Sequence, residues 1–104
     1  WALDHAGSDV IRHTARLRLA RVMMAEDDLD GAEALVSNAA GEGGFASLYA
    51  EIRGDIQLAR GDAASARAQY EHALATMTAE SPGRQMLQLK YDSTAHAAEP
   101  GDAR

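Results

Sequence analysis

The side chains that could do chemistry in this chain do not gather into any known catalytic or metal-binding spacing. Its four histidines, His5, His13, His72 and His96, are far apart, and no two have the i, i+4 spacing that puts two imidazoles on one helix face for a metal ion. They are expected to be solvent-exposed side chains. The Asp27-Asp28 pair lacks the twelve-residue loop, with its fixed ligands and glycine, that calcium needs, so capping and solvation are the expected roles. There is no cysteine, which excludes disulfides, thiolate metal sites and a cysteine nucleophile. No Gly-x-Ser-x-Gly elbow, phosphate loop or dinucleotide fingerprint occurs. The sequence therefore predicts no catalytic residue, no metal and no cofactor; an enzyme would need chemistry supplied from outside these 104 residues. One motif stands out. Arg-Gly-Asp, known as an adhesive tripeptide, occurs at residues 53–55 and again at 60–62.

The charge balance narrows the partners. A formal net charge of −6 gives the chain no electrostatic attraction to nucleic acid or anionic lipid, so neither is expected as a partner. Apolar residues make up 46% and aromatics only 5%, and alanine is abundant, which favours closely packed helices over sheet. No run alternates β-branched and polar residues. The chain starts at Trp1, which suggests a processed or excised piece, and no stretch approaches the apolar length of a membrane span.

Helical spacing divides the chain into five segments. Residues 1–7 are expected to lead into the domain, and Ser8 or Asp9 to cap a helix running to about Ala25. Its stripe is Ile11, Ala15, Leu19, Val22 and Met23. A short helix is expected over Asp30–Ala39, with Ala32, Leu35 and Val36 inward, followed by a turn at residues 41–44. Phe45, Leu48, Tyr49, Ile52, Ile56 and Ala59 mark a third helix to Arg60, ended by Gly61, and Asp62 caps a fourth that runs to about Ala79. Pro82 suits the first turn of a fifth helix, whose apolar side is Met86, Leu87, Leu89 and Tyr91. Residues 96–104 have too little apolar content to pack and are expected to be a disordered tail, leaving 8–95 as the domain.

Shifting the chain by 34 residues superposes Ala25 on Ala59, Asp28 on Asp62, Ala32 on Ala66, Ala39 on Ala73, Ala20 on Gly54 and Val36 on Tyr70. That is the tetratricopeptide period, a helix-turn-helix unit with a small residue where its helices pass closest. Gly54, Gly61-Asp62, Ala66, Tyr70, Ala73 and Leu74 fit the pattern in order, although Arg53 stands where it expects an apolar residue and the first unit uses Asp27-Asp28 as its turn. The fold class predicted is an all-α, tetratricopeptide-like solenoid of about two repeats plus a C-terminal capping helix. Both Arg-Gly-Asp copies then have structural reasons: one is mid-helix, the other a tight turn, and neither is an adhesive loop.

A solenoid of such units exposes its first helices along a concave face, the usual seat of peptides and partner helices. In the 34-residue register, Leu17, Arg21 and Met24 correspond to Glu51, Asp55 and Leu58. With Leu48 they form the candidate partner-binding surface. Leu48, Leu58 and Met24 could equally be core. Four arginines, Arg12, Arg16, Arg18 and Arg21, make the first helix basic, while residues 26–62 hold nine acidic residues against two basic ones, a local net of −7. Internal ion pairing and guidance of a charged partner are both open readings. The function this implies is non-catalytic protein–protein interaction; the alternative is self-assembly, with the groove of one copy holding another.

The stretches "ARLRLARVMMAEDDLDGAEAL", "GGFASLYAEIRGDIQLARGDAASARAQYEHAL" and "MLQLKYD" carry a more specific signal. Over about residues 8 to 95 the chain resembles the tetratricopeptide-like periplasmic domain of the ancillary Sec-translocon subunits of proteobacteria, the YfgM-like family. "FASLYAEIRGDIQLARGD" is the most specific block. The resemblance implies a solenoid projecting into the periplasm from an inner-membrane protein with one span near its N-terminus. It implies as partners the translocon subunits, periplasmic chaperones and unfolded or emerging polypeptides. It supplies no catalytic residues.

Overall fold

The computed structural model describes residues 2–37 and 45–97, with side chains over 9–37 and 45–94. These residues form five helices: α1 (Ala2–Ala25), α2 (Leu29–Ser37), α3 (Ala46–Ala59), α4 (Ala63–Thr76) and α5 (Arg84–Ala97). There is no strand among them. Helix α1 pairs with α2 and α3 with α4; α3 also packs back onto α1 and α2, and α5 lies against α4. The architecture is the all-α helical repeat that the 34-residue spacing predicts.

The two helical hairpins turn by the same chemistry. After α3, Gly61 adopts φ 86°, its N–H donating to Leu58 O at 3.0 Å and that of Asp62 to Gln57 O at 2.9 Å. These paired bonds satisfy carbonyls that the helix end would otherwise leave open. Thirty-four residues earlier, Asp27 adopts φ 65°, donating to Met24 O at 3.0 Å, and Asp28 donates to Met23 O at 2.8 Å. Each second aspartate then caps the next helix: Asp28 Oδ1 accepts from Gly31 N at 3.0 Å, and Asp62 Oδ1 from Ser65 N at 3.1 Å. The Ser65 hydroxyl also donates to Asp62, and together these bonds hold its carboxyl below the usual range.

The core has two parts. Leu17, Ala20, Ala32, Val36, Tyr49, Ile52 and Ile56 are buried between α1, α2 and α3. Ala50, Ala66, Tyr70, Ala73 and Leu87 are buried between α3, α4 and α5. At the centre of the second part Gly54 meets the Tyr70 ring so closely that a Cβ would lie 2.5 Å from Tyr70 Cε1. Glycine is required here by space, as the repeat pattern anticipates.

Several expectations are corrected. Residues 2–7 are helical, so α1 begins well before Ser8 and Asp9; one glycine, Gly7, costs a helix only about 1 kcal/mol. The inward side of α1 carries Leu17, Ala20, Met23 and Met24, whereas Ile11, Leu19 and Val22 of the predicted stripe are exposed. Helix α1 is apolar on two sides, and spacing alone selects the wrong one. Helix α4 stops at Thr76 because Met77 is extended and Thr78 and Ser81 close a side-chain turn, with Thr78 N donating to Ser81 Oγ at 3.1 Å. Pro82 therefore precedes α5 rather than opening it. In α5 the inward residues are Leu87, Tyr91 and Thr94, and Met86 and Leu89 are 59% exposed. The turn at 41–44 and most of the expected tail (98–104) lie outside the described residues.

Candidate interaction surface

The seven candidate residues divide into four groups. Leu17 is core, only 7% exposed. Met24 and Leu48 are half-buried against the first core cluster, so they belong mainly to packing. Arg21 is exposed, and Leu58 is 42% exposed, a large apolar side chain left open near the end of α3.

Glu51 and Asp55 are engaged within the fold. Lys90 of α5 reaches both, with Nζ 2.7 Å from Glu51 Oε2 and 3.1 Å from Asp55 Oδ2. Asp55 also accepts a hydrogen bond from the buried Tyr70 hydroxyl. Burial alone would lower the Lys90 pKa, but the hydrogen bonds and charges of Glu51 and Asp55 outweigh it and hold the ammonium above its ordinary value. Burial, then the Asp55 hydrogen bond and the two carboxylate charges, push Tyr70 far up, so the phenol stays a donor. The acidic pair thus ties α3 to α4 and α5. Asp55 faces Lys90, whereas Arg21, its counterpart one repeat earlier, is exposed. Lys90 escaped sequence reasoning because α5 is out of register: it starts 38 residues after α3 (84 − 46), not 34.

A second polar junction joins α1 to α3. His13 Nδ1 and the Tyr49 hydroxyl share a hydrogen bond of 2.8 Å, and the His13 ring stacks on Phe45 with centroids 4.6 Å apart. Arg16 donates to Leu35 O at 3.3 Å. Burial raises the Tyr49 pKa, opposed by the Arg16 charge. His13 is therefore a half-buried packing residue, not the solvent-exposed histidine that its isolation in sequence suggests.

Both Arg-Gly-Asp copies are consumed by the fold. Arg53 donates to Gln69 Oε1 and Val36 O at 3.1 Å each, bridging α4 and α2, and burial lowers its pKa. Arg60 binds Glu33 Oε1 at 2.8 Å and also Asp30, tying the α3 end to α2. Among the described residues, no three His, Asp or Glu side chains cluster as a metal site. No described helix is long and apolar enough to cross a membrane.

Paired helices in a repeating register, with buried small residues at Ala20 and Gly54, define a tetratricopeptide-type scaffold. The family model for the tetratricopeptide repeat-like domain matches residues 1–96, and the chain belongs to that family. Among curated proteins, it is 33% identical over 93 residues to an ancillary SecYEG translocon subunit of Neisseria gonorrhoeae. The aligned stretch is 89% of this chain but 44% of that relative, so the chain spans less than half of the relative's length. No solved structure matches.

Proposed function

We propose that this domain is a non-catalytic protein–protein interaction module that works beside the Sec translocon and links it with periplasmic chaperones or emerging secreted polypeptides. The observation that carries the reading is the 33% identity, over most of the chain, to a translocon ancillary subunit. The geometry supports it: the ion pairs and polar junctions described above brace the scaffold, and Leu58 and Arg21 remain open on successive first helices. Leu58 supplies an apolar anchor, and Arg21 steers an acidic partner. The module is a periplasmic part of an inner-membrane protein in this reading.

Capture of purified translocon and periplasmic chaperones by the immobilised domain tests this. Leu58→Asp should abolish capture while leaving helicity and melting unchanged, because the side chain is partly in water already. Arg21→Glu should weaken capture most at low salt, where screening is least. Undiminished capture by both variants would move the site to another face, and unfolding of Leu58→Asp would make Leu58 part of the core.

A further inference from the structure

The outer side of α1 is apolar and open. Val10 (51% exposed), Ile11 (70%), Leu19 (46%) and Val22 (51%) line a shallow groove around Arg18. Soluble monomers rarely leave an apolar strip of this kind uncovered. The next first helix shows what such a side takes. Thirty-four residues on, Ile11, Thr14, Ala15, Arg18 and Val22 correspond to Phe45, Leu48, Tyr49, Ile52 and Ile56, the α3 side that packs against α1 and α2. The face thus has the spacing of a helix seat, with one exception in its chemistry. Where α3 places the fully buried Ile52, α1 places Arg18.

Charge identifies the occupant. Over residues 9–25 α1 carries four arginines and one aspartate, in a chain of net charge −6. Asp9 is taken by Arg12 at 3.3 Å, and Arg16 turns inward to Leu35 O. Arg18 and Arg21 are exposed and, among the described residues, have no ion pair or hydrogen bond. A helix laid on this face takes the Arg18 guanidinium out of water, which is tolerated only if that helix brings a carboxylate to it. The molecule already uses this solution once: where α3 meets α2, Arg60 binds Glu33 and Asp30, acids three residues apart on α2. We propose that the outer face of α1 seats an acidic amphipathic helix of a second protein. Its apolar side covers Ile11, Leu19 and Val22, and its carboxylates, three or four residues apart, meet Arg18 and Arg21. A second α1 would set arginine against arginine. The backbone argues against a hairpin of the same chain in this seat. Residues 38–45 separate α2 from α3, whereas their counterparts 4–11 belong to α1, so the chain does not turn where the repeat would bring a preceding hairpin onto the face. The surface is separate from Leu58 on α3, and the proposal does not rest on the translocon reading.

The probe is a synthetic helix locked by a side-chain staple, with leucines at i, i+4 and i+7 and glutamates beside them. The same helix with lysines in place of the glutamates is its control. In calorimetric titrations the glutamate helix should bind the domain, and the lysine helix should bind at least about tenfold more weakly. Arg18→Glu should reverse that preference, and Leu19→Asp should abolish binding of both helices. Circular dichroism should not change in either variant, because both side chains are exposed. Backbone NMR shifts on binding should fall on residues 10–22, and Leu58→Asp should leave the titration as it is. Equal binding of the two helices, no binding at about 1 mM, or an unchanged preference in Arg18→Glu overturns the proposal. Binding by these 104 residues that is lost in a longer form of the polypeptide overturns it as well, and gives the face to a neighbouring hairpin of the same chain.

Discussion

The two hairpins of this molecule share one plan and solve it with different residues. In α3–α4 the close approach is between Gly54 and, 16 positions later, Tyr70; 34 residues earlier in α1–α2 the same positions hold Ala20 and Val36 (36 − 20 = 70 − 54). All four are buried. The first hairpin sets a small residue against a medium one, and the second pushes the difference to its limit, no side chain against an aromatic ring. The second therefore tolerates far less change at its small position. Its tyrosine also carries a hydroxyl into the interior, which Asp55 satisfies and Lys90 in turn neutralises. A packing choice on α4 thus sets the chemistry by which α5 is held.

The largest effect should come from breaking that asymmetry. Gly54→Leu has no space against Tyr70 and should cost on the order of 1–3 kcal/mol, read as a fall in melting temperature. The same melting experiment on Ala20→Leu probes the first hairpin, which should also lose stability. A Gly54→Leu protein that melts like wild type would disprove the close approach.

Loss of Lys90 ranks next. Lys90→Met leaves Glu51 and Asp55 facing each other without a cation and should cost roughly 1–3 kcal/mol. The same network predicts alkaline behaviour. Lys90 and Tyr70 both hold their protons more tightly in the folded state than their ordinary values of 10.5 and 10.0. Their contribution is complete below about pH 10 and is lost as pH rises through the folded values. Denaturant titrations should therefore show stability falling above pH 10, and Lys90→Met should flatten that fall. An unchanged slope in the variant would place the alkaline sensitivity elsewhere.

The smallest effect separates the two turns. Gly61 and Asp27 occupy the same left-handed position, at φ 86° and 65°, but only Asp27 has a Cβ there. Asp27→Gly should stabilise by about 1 kcal/mol or less, and Gly61→Ala should destabilise by about 1 kcal/mol. Substitutions that shift melting in the same direction would show that the turns are not equivalent.

These local devices were the legible part of the sequence. Gly61-Asp62, the Asp28 and Asp62 caps and the Gly54–Tyr70 fit follow from residue type and a fixed period, because each is settled by neighbours within one hairpin. The inward side of α1 was not legible. It buries Leu17 and Ala20 but also turns His13 and Arg16 inward, where they bond to Tyr49 and Leu35 on other helices. Glu51 and Asp55 read as groove residues for a related reason. Their partner Lys90 arrives from α5, beyond an irregular link that breaks the register. Leu58 and Arg21 remained open because nothing in the described fold reaches over them.

The claim beneath both the fold and the surface assignment is that the two hairpins are copies of one unit in 34-residue register. A double-mutant cycle at its centre tests that most directly. Gly54→Ala and Tyr70→Val, made singly and together, convert the second hairpin's pair into the first hairpin's Ala–Val pair. Each single change should destabilise, one by overpacking and one by leaving a cavity. Together they should cost at least about 1 kcal/mol less than the sum of the singles, because the alanine methyl fills space the ring vacates. Strict additivity in denaturant melts would contradict the equivalence, and with it the register that places Arg21 and Leu58 on one face.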